Sequence, residues 1–516
     1  MCLADAVDSP KRRRGRPYRP PADRSPYASA TGGVPERIAW LLGTNRLWAG
    51  DGAFASRRAF VPALAAAGVP TDESRLSRWE AAGAPISNAV IEGYEQALGL
   101  PALQLSAVAQ YLRPIVPPAP NRLGSHELHA LFDPLFDLVL DGEPAGADWL
   151  TFTQALLAHP GVYLRPAVWE QVARRLLTEL GRSMHLAYST RLLALRRLLA
   201  HPVAQRHVVY AIGHVATDPR APRSADAIAL VQHVGGAFGT GVALRLFNSD
   251  QEAHRRGACR AMAAMLARDE FDDESLPALE AAAVRQLSDD ETALHVADLV
   301  LRMPMLVAER IKVAFRGHPA MELVGRGGEL VSNDVSRQVA VRVADEGRRQ
   351  AAGPGPRDPD PMLERLVREA LFHANAERRS QAAMLLMFSP FRDGVASGVA
   401  AQLATGPEPA VAGRLVRLLR YCISKDELPA LLALQPAADA GARPHALQAI
   451  AHLPVALDPA DATALAEQPG VWKDPRLAAA TMYALGMHGH AALAAKHPEA
   501  ANLVAWWKAT GPRLTA

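Results

Sequence analysis

From residue 125 onward, runs of Ala and Leu as long as a helix alternate with short breaks of Pro, Gly or Asp. No other feature limits the possible folds as much. Small and unbranched apolar residues favour helices packed closely together, whereas sheets are rich in Val, Thr and aromatic residues. Hydrophobic residues make up 49% of the chain but aromatic ones only 6%, so the expected fold class is all-α. At 516 residues the chain exceeds one typical domain, and two or three units are expected.

The last third carries a repeat. The stretches Arg379-Ser380-Gln381-Ala382-Ala383, Arg443-Pro444-His445-Ala446-Leu447 and Pro475-Arg476-Leu477-Ala478-Ala479 each join an Arg to small and apolar residues. A weaker copy at residues 411–420 fills the wider gap, giving a period of about 32 residues, as expected of stacked helix pairs. Arg255-Arg256-Gly257-Ala258-Cys259 and Arg191-Leu192-Leu193-Ala194-Leu195 are earlier, less regular copies. The body resembles HEAT-like α-solenoids, above all in Asp474-Pro475-Arg476-Leu477-Ala478-Ala479-Ala480 running on to Leu485-Gly486. An irregular helical bundle is the alternative architecture.

Ahead of the body, residues 1–35 hold six prolines among Arg, Ser and Gly with little to bury, which predicts a disordered basic tail. Residues 36–113 break into five short helical runs, Glu36 to Trp48, Ser56 to Ala67, Asp72 to Ala81, Ser87 to Leu98 and Leu103 to Leu112. These predict a small compact domain. Residues 114–124 contain Pro114, Pro117, Pro118 and Pro120 and read as a semi-rigid linker. The Gly/Pro-rich loop 352–361 is expected to divide the body into helical regions 125–351 and 362–516.

The formal net charge is only +3, so any contact with a polyanion must be local. Residues 1–30 carry seven cations against three acids, more than the surplus of the whole chain. Cys2, Cys259 and Cys422 are far apart, which supports neither a disulfide framework nor a zinc module. No segment reads as an export signal or a membrane span, so a cytoplasmic, nucleoid-associated protein is expected. Arg outnumbers Lys 50 to 6, a bias that suggests a high-GC bacterial source.

The strongest local signal begins at residue 56. A helix to Ala67 ends at Gly68, suited to a tight turn at positive φ, and Thr71 or Asp72 can cap the next helix. In Glu73-Ser74-Arg75-Leu76-Ser77-Arg78-Trp79-Glu80 and the residues after it, Leu76, Trp79 and Ala82 lie three apart on an inward face and leave Glu73, Ser74, Arg75 and Arg78 outside. With Gly83, Pro85 and Tyr94-Glu95-Gln96-Ala97-Leu98-Gly99-Leu100, the segment resembles helix-turn-helix domains of the Cro and phage-repressor superfamily. The resemblance implies a recognition helix in the major groove of double-stranded DNA. By position, Glu73, Ser74 and Arg78 become base contacts, Arg75 a base or phosphate contact, and Arg57 and Arg58 phosphate contacts. Pro62 inside the first helix, an extra residue between Glu80 and Gly83, and the acids Asp72 and Glu73 depart from that pattern.

Arg12-Arg13-Arg14-Gly15-Arg16-Pro17 resembles an AT-hook. In such a motif Arg14 and Arg16 enter a narrow A·T minor groove, Gly15 lets the backbone sit deep, and Pro17 directs the chain outward.

No nucleophile, base and orienting group stand together, and no cofactor or metal is expected. The glycines of 235–241 lack the Lys of a phosphate loop, and His126 with His129 lack the zinc-protease spacing. These readings point to a non-enzymatic DNA-binding transcriptional regulator, a homodimer whose solenoid serves a protein or peptide partner or self-association. The alternative is an interaction scaffold in which the solenoid does the binding and the N-terminal domain only tethers or dimerises.

Overall fold

The computed structural model describes residues 19–27, 32–48, 52–119, 123–218, 220–222, 224–287, 293–319, 321, 333–351, 359–437 and 442–515. Among them the chain is all-helical with no β-strand; Ser183 and Leu514 form an isolated bridge. The N-terminal module comprises Val34–Trp48 (α1), Arg57–Ala66 (α2), Glu73–Glu80 (α3), Asn88–Ala97 (α4) and Ser106–Leu112 (α5). The body starts with Ser125–Leu140 (α6), Gly146–Ala158 (α7), Pro166–Gly181 (α8), His185–Ala200 (α9), Ala204–Thr217 (α10) and Ser224–Ala229 (α11). It continues through Gly236–Phe247 (α12), Glu252–Ala267 (α13), Leu276–Leu287 (α14), Ala293–Val300 (α15) and Met305–Ala314 (α16). A second array holds Asp334–Ala351 (α17), Pro361–Phe372 (α18), Ala376–Met387 (α19), Arg392–Ala404 (α20) and Pro409–Cys422 (α21). Leu428–Ala437 (α22), Arg443–Ala451 (α23), Pro459–Ala466 (α24), Pro475–Met487 (α25) and Ala501–Thr510 (α26) complete it.

Many of the prolines that break the sequence pattern start helices. In the pairs Asp360-Pro361, Asp458-Pro459 and Asp474-Pro475 the Asp carboxylate accepts the first free N–H groups of the helix. Pro sits at the first helical position, where the N–H it lacks has no intrahelical partner anyway. Alternate helices stack in both arrays: α7 on α9, α8 on α10, α11 on α13, and then α19 on α21, α21 on α23 and α23 on α25. This second row is the source of the 32-residue period, and it is solenoid-like stacking. The repeated Arg has a repeated job: Arg255 donates to the Ser249 and Asp250 carbonyls, and Arg379 to those of His373 and Ala374. In both cases the side chain reaches back five and six residues and ties its helix to the loop before it.

The arrays divide earlier than expected. Helix α17 precedes the Gly/Pro loop, yet it packs on α20, where Gly394 and Gly398 let the two backbones approach closely. It therefore belongs with the second array; residues 352–358 lie outside the described residues.

The N-terminal module is built into the body. Arg37 of α1 donates to Glu369 of α18 at 2.8 Å, Trp40 Nε1 donates to Asp360 at 2.9 Å, and Asn45 donates to the Phe388 carbonyl at 3.1 Å. From α5, Tyr111 donates to Glu377 of α19 at 3.0 Å, and Arg196 of α9 donates to the Tyr111 carbonyl at 2.6 Å. Residues 19–27, expected within the tail, also lie against the body. Asp23 is buried against Arg37, and Arg365 donates to the Asp23 and Ser25 carbonyls while its guanidinium lies over the Tyr27 ring. Composition suggested little to bury there, but the ion pairs of Asp23 with Arg37 and Arg365 and the seating of Tyr27 give the segment a fixed position.

Burial pushes the rings of His185, His295, His373, His445 and His488 down to about 4, since a charged imidazole is poorly solvated there. An unfolded His titrates near 6.5, so the folded state resists protonation. The stability from these rings is complete above that value and is lost as pH falls through about 4. A melting temperature level from pH 8 to 6.5 and declining steadily below is expected; a level profile down to about pH 4.5 would contradict the buried rings.

Candidate nucleic-acid interface

Helices α2 and α3 are short because their caps define them. Ser56 accepts from the Ala59 N–H, and Asp72 from that of Arg75 at 2.7 Å, so Asp72 rather than Thr71 caps α3. Gly68 adopts φ +79 between them. Pro62 lies on the exposed side of α2, whose buried side chains are Phe60 and Leu64. The added residue after Glu80 also has a local cause. Ala82 takes the left-handed conformation at φ +56, and the Gly83 N–H donates to the Arg78 carbonyl at 2.7 Å. The helix thus ends in its usual hydrogen-bond pattern with Ala in the position that favours glycine.

Beneath α3, Leu76 and Trp79 are buried as expected, and so is Glu80, at 1% exposure. Glu80 is the hub of the module. It pairs with Arg46 of α1, accepts from Arg57 of α2 at 2.9 Å, and accepts from the Tyr94 hydroxyl of α4 at 3.2 Å. Three helices are thereby held to the end of α3. A second carboxylate, Glu95, accepts from the N–H groups of Leu103, Leu105 and Ser106 and so fixes the start of α5. Burial raises its carboxyl above the ordinary range even against those three donors.

The outer face of α3 presents Glu73, Ser74, Arg75 and Arg78, all exposed, and Arg58 is exposed on α2. The Arg75 guanidinium lies over the Trp79 ring at 5.1 Å, which directs it along the helix surface. Arg57 stands apart from this group. It is committed to Glu80 and its side chain is 25% exposed, so it braces the scaffold. Arg14, Gly15, Arg16 and Pro17 lie outside the described residues. Sequence reasoning placed the exposed set and missed Glu80. Its position next to Trp79 on an amphipathic helix was the available signal, but the three partners come from distant segments. Among the described residues no group of His, Cys, Asp and Glu could hold a metal ion. No described helix is long and apolar enough to cross a membrane.

No protein-family model matches the chain, and no curated protein does. Among solved structures, it is similar to a crystal structure of an engineered protein from the Northeast Structural Genomics Consortium, at 17% identity. That alignment covers 76% of this chain and 97% of the other, with a TM-score of 0.20, a value at which the likeness carries no structural argument.

Proposed function

We propose that this chain is a sequence-specific regulator of transcription that docks α3 in the major groove of double-stranded DNA, with the helical body serving a protein or peptide partner or self-association. The observation that carries the reading is a short helix anchored from below by Leu76, Trp79 and Glu80 while Glu73, Ser74, Arg75 and Arg78 face solvent. Arg78 can donate two parallel bonds to guanine O6 and N7, Glu73 can accept from cytosine N4, and Arg58 stands where a phosphate would pass. One such helix covers a half-site, so a homodimer is part of the proposal. The basic segment with Arg14, Gly15, Arg16 and Pro17 would add minor-groove contacts and affinity that weakens with salt. A bacterial, nucleoid-associated setting goes with this reading.

Selection of binding sites from random duplexes tests it. Wild type should enrich a discrete motif, and the Arg75→Ala/Arg78→Ala double variant should lose it, with about 10- to 100-fold weaker binding for each contact removed. An unchanged melting temperature is expected because both side chains are exposed. No motif with wild type, or the same motif with the variant, would remove α3 from the interface.

The second reading is an interaction scaffold, favoured by one feature: the module is bolted to both arrays through Arg37, Tyr111 and Arg196 instead of swinging on a linker. Under that reading the module is a structural clamp, and the selection returns nothing.

A further inference from the structure

The two arrays face each other across a central cavity. Its walls include Asp226, Arg260, Asp298 and Arg302 from the first array and Glu377, Ser380 and Tyr421 from the second, with Glu377 already engaged by the Tyr111 hydroxyl. Helical geometry extends this surface beyond the cavity itself. Arg414, Arg417 and Tyr421 are spaced i, i+3 and i+7 on α21, so the two arginines share the face that Tyr421 turns to the cavity. On α13, Arg256 stands one turn before Arg260, and on α15, His295 stands one turn before Asp298. Arg260 and Arg302 line the cavity itself, and Arg379 and Arg417 of the second array lie within electrostatic reach of Arg260.

Counter-charges cover only part of this set. Arg260 pairs with Asp226 at 2.6 Å, Arg302 with Asp298 at 3.3 Å, and Arg256 with Glu252 at 3.4 Å. Among the described residues, Arg379, Arg414 and Arg417 make no ion pair. Arg379 bonds the His373 and Ala374 carbonyls, Arg414 the Leu371 carbonyl, and Arg417 the His445 ring at 3.1 Å. Arg417 is exposed, while Arg379 and Arg414 are half-buried.

We propose that this cleft binds a small ligand carrying a chain of phosphates, held by Arg379, Arg414 and Arg417 with Arg260 opposite. Planar guanidinium groups match phosphate oxygens two at a time, and several converging on one spot suit a compact ligand of high charge density. Tyr111, Tyr188 and Tyr421 in the wall would accompany a base if the phosphates belong to a nucleotide. An acidic peptide spreads its carboxylates along an extended chain and fits such a cluster less well. A half-enclosed cleft between two arrays also excludes a duplex. Electrostatics agree with the assignment: burial pulls Arg379 down to about 9, Asp298 opposes that shift, and Arg417, Arg414 and Arg260 add to it, so Arg379 remains cationic at neutral pH while these arginines repel one another. A multiply charged anion would relieve that repulsion.

The test uses the full chain with inorganic tripolyphosphate and with ATP, by calorimetry and by thermal melting. Both probes should bind below about 1 mM and raise the melting temperature of wild type and of Arg310→Gln, a surface control away from the cleft. Arg414→Gln/Arg417→Gln should bind at least about 10-fold more weakly, while its ligand-free melting temperature is unchanged or higher. ATP binding several-fold more tightly than tripolyphosphate would mark a nucleotide; equal affinity would mark the bare phosphate chain. The proposal is overturned if neither probe binds, if the double variant binds as wild type does, or if a hexaglutamate peptide binds more tightly than tripolyphosphate. No DNA is present in the experiment, so its failure would leave the role of α3 untouched.

Discussion

Replacing Glu369 with alanine is expected to lower the stability of the chain by about 3–5 kcal/mol, because it would strand buried guanidinium groups without a counter-charge. Glu369 is fully buried and accepts from Arg37, Arg365 and Arg378 at 2.8, 2.9 and 2.7 Å. Asp23 is the other acid in the cluster, 2.7 Å from Arg37. Burial by itself would raise both carboxyls. Arg37 and Arg378 around Glu369, and Ser25 and Arg37 around Asp23, outweigh it and hold both below the usual carboxylate range. Carboxyls shifted in that direction stabilise the fold above their ordinary values and lose that contribution as pH falls through the depressed ones. The cluster ties residues 19–27, α1, α18 and α19 together, so the loss should appear as a lower urea midpoint with an unchanged slope. Glu369→Gln, which keeps the volume and an acceptor oxygen, should cost less. A loss below about 1 kcal/mol for the alanine variant would mean that the cluster is open to water, like an ordinary surface pair.

Glu80→Ala should cost a similar amount, about 3–5 kcal/mol, but concentrated in the N-terminal module. Its carboxylate is the shared partner of Arg46, Arg57 and Tyr94, and Arg46 is itself buried. Removing it frees the end of α3 from α1, α2 and α4 together. Amide hydrogen exchange across Glu73–Glu80 should accelerate strongly, while exchange in the α21, α23 and α25 row should stay as in wild type. Binding to selected DNA should fall with it, even though Glu80 faces away from the proposed groove, because a recognition helix must be held rigidly to read bases. Glu80→Gln should retain part of the effect through the amide oxygen. Unaltered exchange in α3 would show that Leu76 and Trp79 hold the helix without the carboxylate.

Much of the local structure was legible in the sequence. The five short helices of the module end within about three residues of their expected limits, and Gly68, Asp72, Leu76 and Trp79 have their expected roles. The Asp-Pro starts and the 32-residue period of α19, α21, α23 and α25 are visible for the same reason: caps, turns and apolar faces are set by residues a few positions apart. The exposed face of α3 could be read because the alternation of Leu76 and Trp79 with polar residues dictates which side faces solvent.

What the sequence could not show are the contacts that depend on long separations. Arg37 reaches Glu369 across 332 residues, Tyr111 reaches Glu377 across 266, and Arg476 reaches Glu252 across 224. An Arg in an amphipathic helix looks the same whether it faces solvent, a buried carboxylate or a phosphate. Arg57 reads as a phosphate contact beside Arg58, and only the fold turns it toward Glu80. In the same way, α17 reads as part of the first array until its packing on α20 assigns it to the second. The sequence alone therefore determined an all-α chain with a helical repeat and a short helix with an exposed polar face. Tertiary structure decided that this helix sits in a module locked to both arrays, and that arginines distant in sequence, Arg260, Arg379 and Arg417, come within electrostatic reach of one another. Helix formation and capping are local free-energy choices, whereas the partner of a buried charge is chosen only when distant segments pack.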